Sequence, residues 1–188
     1  MHRNIKILLA SSIFLHIGIN LFAPLYAIFV QEVGGTLADA GIAVGIYAIF
    51  QGVLYLLFRH TPQHYFSHRH MVSVGYFIYA LSYFAYIFAS VPFHIYLIQA
   101  LLAVGEVIIT PAWSAIIATS LNKGAERNTY ADFFGYRAIF QGIAAILGGF
   151  FVLRFGFDTM FVFMAAVALI ASTLVLLIKE SGENTITR

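Results

Sequence analysis

Ala48-Ile49-Phe50-Gln51-Gly52 recurs, residue for residue, as Ala138-Ile139-Phe140-Gln141-Gly142. Each copy has a glycine three residues upstream, Gly45 and Gly135, and each sets a glutamine inside a long apolar stretch. The copies stand 90 residues apart in a chain of 188, which predicts two halves of one design. A period this long, in an apolar chain, marks a duplicated set of helices.

Composition decides where such a duplication can live. The chain is 61% hydrophobic and 10% charged, and its mean hydropathy is +0.89. A soluble domain carries roughly 45–50% apolar and about 25% charged residues. So few charges cannot cover a surface facing water, and the chain belongs in a bilayer. The absence of cysteine removes disulfides and thiolate metal sites. A net charge of +2 says little about partners, and no nucleic acid is expected among them. The first apolar run is too long for a cleavable signal peptide and lacks a small-residue cleavage site.

A helix needs roughly 20 apolar residues to cross the hydrocarbon core. Six segments approach or exceed that length: Ile5–Val30, Gly41–Phe58, Met71–Phe88, Ile95–Ser120, Tyr130–Leu153 and Met160–Ile178. The connectors hold turn and polar residues, such as Glu32-Val33-Gly34-Gly35, the histidine-rich Arg59–His70 and Arg154–Asp158. This predicts one all-α polytopic domain over 1–188, with repeat 1 at 5–88, repeat 2 at 95–178 and a polar tail at 179–188. With six spans both termini share a side. That side holds Arg3, Lys6, Arg59, Arg69, Lys123, Arg127, Lys179 and Arg188, and the other only Arg154. The bias places both termini in the cytoplasm and the chain in the plasma (inner) membrane.

Aligning the twin pentapeptides pairs helix 2 with helix 5, so helix 1 pairs with helix 4. Pro24 and Pro111 then correspond, each followed two residues on by an aromatic, Tyr26 or Trp113, and then by a small residue, Ala27 or Ser114. The offset there is 87 rather than 90. A unit of three spans crosses an odd number of times, so its second copy enters from the opposite face. The expectation is a 3+3 inverted repeat. Matched prolines in its two halves point to a hinge beside a substrate site, although a proline also kinks a membrane helix for packing alone.

Ionisable groups inside a membrane are costly and face a cavity or a partner. His16 lies 11 residues into the first span, Glu106 11 into the fourth, and Arg137 seven into the fifth. At 1.5 Å per residue each reaches roughly 10–17 Å deep, near the middle of a ~30 Å core. Helical spacings of three, four and seven give them polar company on one face: Asn20 with His16, Gln141 with Arg137, and Gln99, Thr110 and Trp113 with Glu106. Gln51 enters at similar depth. The set forms a candidate polar cavity in which Glu106 carries a proton or binds a cation, Arg137 holds an anionic group and His16 relays protons. The alternative is a static Glu106–Arg137 ion pair with His16 as a hydrogen-bonded packing residue. Asp132 sits where it can meet helix-terminal amides, and Tyr26, Tyr130 and Tyr136 suit membrane interfaces.

His60, His64 and His68 recur every four residues, which would align them on a helix for Zn²⁺ or Ni²⁺. No carboxylate or cysteine accompanies them and Pro62 interrupts the first turn, so a basic loop touching anionic headgroups is the stronger reading. No cofactor is expected. Ser114, in Pro-Ala-Trp-Ser-Ala, has no histidine after His94 to partner it, so an intramembrane serine protease is not supported. Paired Asn-Pro-Ala channel loops are absent from the sequence.

The prolines of helices 1 and 4, the basic loop between helices 2 and 3, and the run Gly105-Glu106-Val107-Ile108-Ile109-Thr110-Pro111-Ala112 through Gly148-Gly149 resemble one half of a major facilitator superfamily transporter. Phe155-Gly156-Phe157 and Phe161 extend the likeness over nearly the whole chain. The resemblance implies a secondary transporter of a small solute working by alternating access, with His64 and Arg69 at the cytoplasmic gating loop. Of that loop's family motif only Arg69 is retained, and of the antiporter signature in helix 5 only Gly148 and Gly149. Family members usually carry 12 helices. Six alone would leave polar faces of helices 1, 4 and 5 against lipid. The expectation is therefore a half-size member completed by a second copy as a parallel homodimer, or by another six-helix half. A substrate-binding subunit of a larger importer and a non-transporting paralogue are the competing readings.

Overall fold

The computed structural model describes residues 3–59, 67–121, 124 and 126–179. The described residues are helical almost throughout. Helix α1 (Arg3–Phe22) runs into a 3-10 turn at Ala23–Leu25 and continues as α2 (Tyr26–Glu32). Then come α3 (Leu37–Phe58), α4 (His68–Tyr86), α5 (Pro92–Ser120) and α6 (Glu126–Val175). Pro24 has no N–H to give the helix, and the chain tightens there into the 3-10 turn. Pro111, its counterpart, sits inside an unbroken α5. The matched prolines therefore act differently.

Among the described residues, four segments can cross a membrane by length and composition: Arg3–Glu32, Leu37–Phe58, Pro92–Ser120 and Glu126–Val175. Six separate spans are not what the helices display, for two reasons. Helix α4 is 19 residues long, opens on His68-Arg69-His70 and carries four tyrosines, so it is less apolar than the rest. The expected fifth and sixth spans are joined: the connector Arg154–Asp158 shrinks to one non-helical residue, Gly156, at φ 79° and ψ 170°. Only glycine adopts that backbone readily. The chain folds back at this point. Phe151 and Phe163 have ring centroids 5.6 Å apart, whereas 12 residues of straight helix span about 18 Å. So α6 is a hairpin of two legs, 126–155 and 157–175.

Helix α1 packs chiefly on α6, α5 on α3 and α4, and α4 also on α6. Glycines set the closest approaches. A Cβ at Gly148 would strike the Leu21 carbonyl oxygen of α1, and one at Gly75 would meet Ile109 and, at 2.9 Å, the Gly105 carbonyl. Gly18 lies against Met164 and Val167 of the second α6 leg, and Gly105 against Gly75 and Tyr79 of α4. Gly18 and Gly105 are 87 residues apart, the offset of the two prolines.

Both ends of the bundle are tied. At one, the Asn4 amide donates to the Lys179 carbonyl at 2.7 Å, and Arg69 donates to the Ile178 carbonyl at 3.1 Å. At the other, Thr36 and Asp39 form a capping box that starts α3, and the Tyr96 hydroxyl of α5 donates to the same Asp39 carboxylate. Nearby, Phe22, Phe29, Tyr86, Phe157 and Phe161 form an aromatic cluster beside the Gly156 reversal, with Phe22 edge-on to Tyr86 and Phe161, and Phe161 stacked on Tyr86 and Phe157. Helix α3 and the first leg of α6 bury little: Ile49, Phe50, Ile139 and Phe140 of the twin pentapeptides are all exposed.

Candidate functional site

Glu106 projects from α5 and is held by two hydroxyls. Tyr79 of α4 donates to one carboxylate oxygen at 2.7 Å, and Thr110, one turn on, donates to the other at 2.6 Å. These are the short, charge-assisted bonds that make a membrane carboxylate tolerable. Gly105, beside it, lets Tyr79 approach, since a Cβ there would meet the ring at 3.0 Å.

Arg137, on the first leg of α6, lies half-buried among aromatic rings. Its guanidinium carbon is 4.8 Å from the Phe134 centroid, 5.9 Å from Phe133 and 6.0 Å from Trp113. Those rings also pack on one another: Trp113 is edge-on to Phe133 at 5.1 Å, and Tyr130 stacks on Phe134 at 6.0 Å. Each cation–ring contact contributes about 0.5–2 kcal/mol.

Glu106 and Arg137 do not pair. Neither makes an ion pair among the described residues, because Tyr79 and Thr110 occupy the carboxylate while Trp113, Phe133 and Phe134 surround the guanidinium. In place of the alternative, a static ion pair, there are two separately stabilised charges. They share a neighbourhood nonetheless: His16 and Tyr76 lie within electrostatic reach of both.

His16 places Nδ1 2.8 Å from the Ser12 carbonyl oxygen and 3.3 Å from its hydroxyl. A carbonyl only accepts, so Nδ1 carries the proton and Nε2 is left as the basic nitrogen. The Asn20 amide donates to the His16 carbonyl at 2.9 Å. Gln51 and Gln141 are half-buried at matching places on α3 and α6, and neither side chain has a hydrogen-bond partner among the described residues. Pro24 and Pro111 are exposed. Arg69 is engaged at the end of the bundle with the Ile178 carbonyl, while His60 and His64 lie outside the described residues, as does the tail beyond Lys179. Asp132 and Tyr136 are exposed on α6.

The structure adds a set of tyrosines. Tyr76, Tyr79, Tyr83 and Tyr86 line one face of α4 and are all buried. Tyr79 serves Glu106. The Gln99 amide of α5 donates to the Tyr26 hydroxyl at 2.9 Å and to Tyr86 at 3.3 Å. The Tyr83 hydroxyl is buried without a partner among the described residues. The 3-4-3 spacing of these tyrosines is the sequence signal that marks them as one buried polar stripe. A separate apolar cavity of about 350 Å³, lined by Ala85, Phe88, His94, Leu97, Ile98 and Leu101, involves none of these groups.

Among protein families, the Major Facilitator Superfamily matches residues 8–187. No curated protein matches the chain.

Proposed function

The chain belongs to the major facilitator superfamily, whose members are membrane transporters, and on that premise we propose that it carries a small solute by alternating access. The observation that carries this reading is the separation of Glu106 from Arg137. Two opposite charges buried in a membrane protein are expected to close on each other if their role is structural. Here each is stabilised on its own side, the arrangement of a site that admits something between them. Glu106 serves as the proton-coupling group, Arg137 as an anion-binding group, and His16, with a free Nε2, as a relay. Asn20, Gln51, Gln141 and Trp113 complete the polar face; Pro24, at the 3-10 break, is its hinge, and Pro111, within unbroken α5, is a hinge only if that helix bends during transport.

The 3+3 inverted repeat belongs to the same proposal. Taking α4 as a span and counting the two legs of α6 separately would make six passes among the described residues, and α1 packs on α6 as α5 packs on α3 and α4. Gly18 and Gly105, one proline-offset apart, each seat the third member of the other half. Half-buried Gln51 and Gln141 beside exposed Ile49, Phe50, Ile139 and Phe140 favour a protein partner over lipid. We take that partner to be a second copy in a parallel homodimer within the plasma membrane, termini cytoplasmic.

Purified protein in proteoliposomes is expected to move solute unaided, with Glu106→Gln folded but without proton-coupled uptake. Uptake with unchanged pH dependence in that variant removes Glu106 from coupling. No flux for any solute, with binding intact, favours a subunit of a larger importer. Native mass spectrometry in nanodiscs showing only monomer overturns the homodimer.

A further inference from the structure

Arg137 has two needs, and the chain meets one. Three aromatic faces attract its charge. Its N–H groups, five in a planar fork, have no hydrogen-bond acceptor and no ion-pair partner among the described residues. A guanidinium left in this state inside a membrane protein fits a planar anion, because a carboxylate takes two parallel N–H bonds. The flanking rings of Phe134 and Trp113 offer an apolar body a flat surface to lie against.

Charge counting narrows the ligand and couples it to a proton. With Glu106 ionised, the site sums to zero. A bound monoanion leaves it at minus one, in surroundings where net charge is expensive. Protonating Glu106 restores neutrality, and a dianion would need a second proton. We infer that Arg137, flanked by Trp113, Phe133 and Phe134, binds the carboxylate of a small apolar monoanion, and that Glu106 takes up a proton from water as it binds. This rests on the transporter reading of the same site. The other titratable groups facing the pair are Tyr76, Tyr79 and Tyr83 from α4, Tyr47 and Tyr55 from α3, and His16 from α1. Of these, His16 is the rival proton acceptor near neutral pH.

Trp113 is the chain's single tryptophan, so its fluorescence reports on this site. The full chain in nanodiscs is titrated with acetate, butyrate and phenylacetate, and with benzylamine and benzyl alcohol as charge-reversed and neutral counterparts of the aromatic acid. A saturable response to the carboxylates is expected, strongest for phenylacetate and absent for amine and alcohol. Arg137→Gln should weaken phenylacetate binding at least tenfold, and Arg137→Lys less, since it keeps the charge and loses the fork. Affinity should rise as pH falls, by up to tenfold per unit where one proton is taken up, and Glu106→Gln should flatten that dependence while His16→Gln preserves it. No saturable carboxylate response, or equal binding of acid and alcohol, overturns the anion site. Loss of the pH dependence in His16→Gln instead overturns the assignment to Glu106. Flux in proteoliposomes is read separately: carboxylate binding without flux overturns transport and leaves the site, whereas flux without Arg137-dependent binding does the reverse.

Discussion

Alanine at Gly148 tests the tightest contact in the bundle, and alanine at Gly149 is its internal control. The added Cβ at Gly148 would overlap the Leu21 carbonyl oxygen, whereas at Gly149 nothing lies within 4 Å. Reaching a normal van der Waals distance requires the first leg of α6 to retreat from α1 by about 1 Å or more. The obstacle is backbone, so no side-chain rotation relieves it. Overpacking of this kind costs about 1–3 kcal/mol. At Gly149 the same change only replaces glycine by a better helix former, a gain of about 0.5–1 kcal/mol. Two neighbouring, chemically identical substitutions are thus expected to move stability in opposite directions. Thermal unfolding of each variant in detergent, followed through Trp113 fluorescence and checked by size exclusion, measures the split. Equal melting of the two variants, or Gly148→Ala melting at or above the unsubstituted protein, refutes the close approach of α1 and α6.

Two further outcomes follow from the same geometry. Gly156→Ala places a side chain at φ 79° and ψ 170°, and is expected to cost about 1–3 kcal/mol; unchanged melting would mean that the α6 hairpin turns elsewhere. Tyr79→Phe removes the 2.7 Å donor to Glu106. Hydrogen bonds to charged groups contribute about 1.5–3 kcal/mol, so thermal unfolding in detergent should show a loss of that order; unchanged melting would show that the bond does not hold Glu106 in place.

Much of this was legible in the sequence because the bilayer imposes its rules locally. Long apolar runs had to be helices, and the 87-residue offset of Pro24 and Pro111 recurs in the packing of Gly18 and Gly105. Glu106, Thr110 and Trp113 share a face by helical period alone, and the first two are indeed bonded. What the sequence withheld were choices made between helices. Opposite charge suggested Arg137 as the partner of Glu106, but Tyr79 was nearer once Gly75 and Gly105 brought α4 onto α5. Trp113 read as a cavity aromatic, and its role as one wall around Arg137 depended on Phe133 and Phe134, which apolar composition hides among 19 phenylalanines. The turn at Arg154–Asp158 looked like a loop because charges mark connectors, while Gly156 alone reverses the chain.

In the interior of α1 three hydrogen bonds close on α1 itself, Ser11 to Leu8, His16 to Ser12 and Asn20 to His16, while Asn4 at its end meets Lys179. In α5, beside internal bonds such as that from Thr110 to Glu106, others reach elsewhere, between Glu106 and Tyr79 and from Gln99 to Tyr26 and Tyr86. During synthesis α1 emerges ahead of α3, α4 and α5, and its main partner, α6, emerges after them. A helix that must wait in lipid needs its polar groups satisfied from within, and α1 meets that condition. By the time α5 enters, α2 and α4 are already made, and their hydroxyls are there to receive it. The order of the chain is thus also an order of assembly in which each polar helix has its partners, internal or external, at the moment it meets the bilayer.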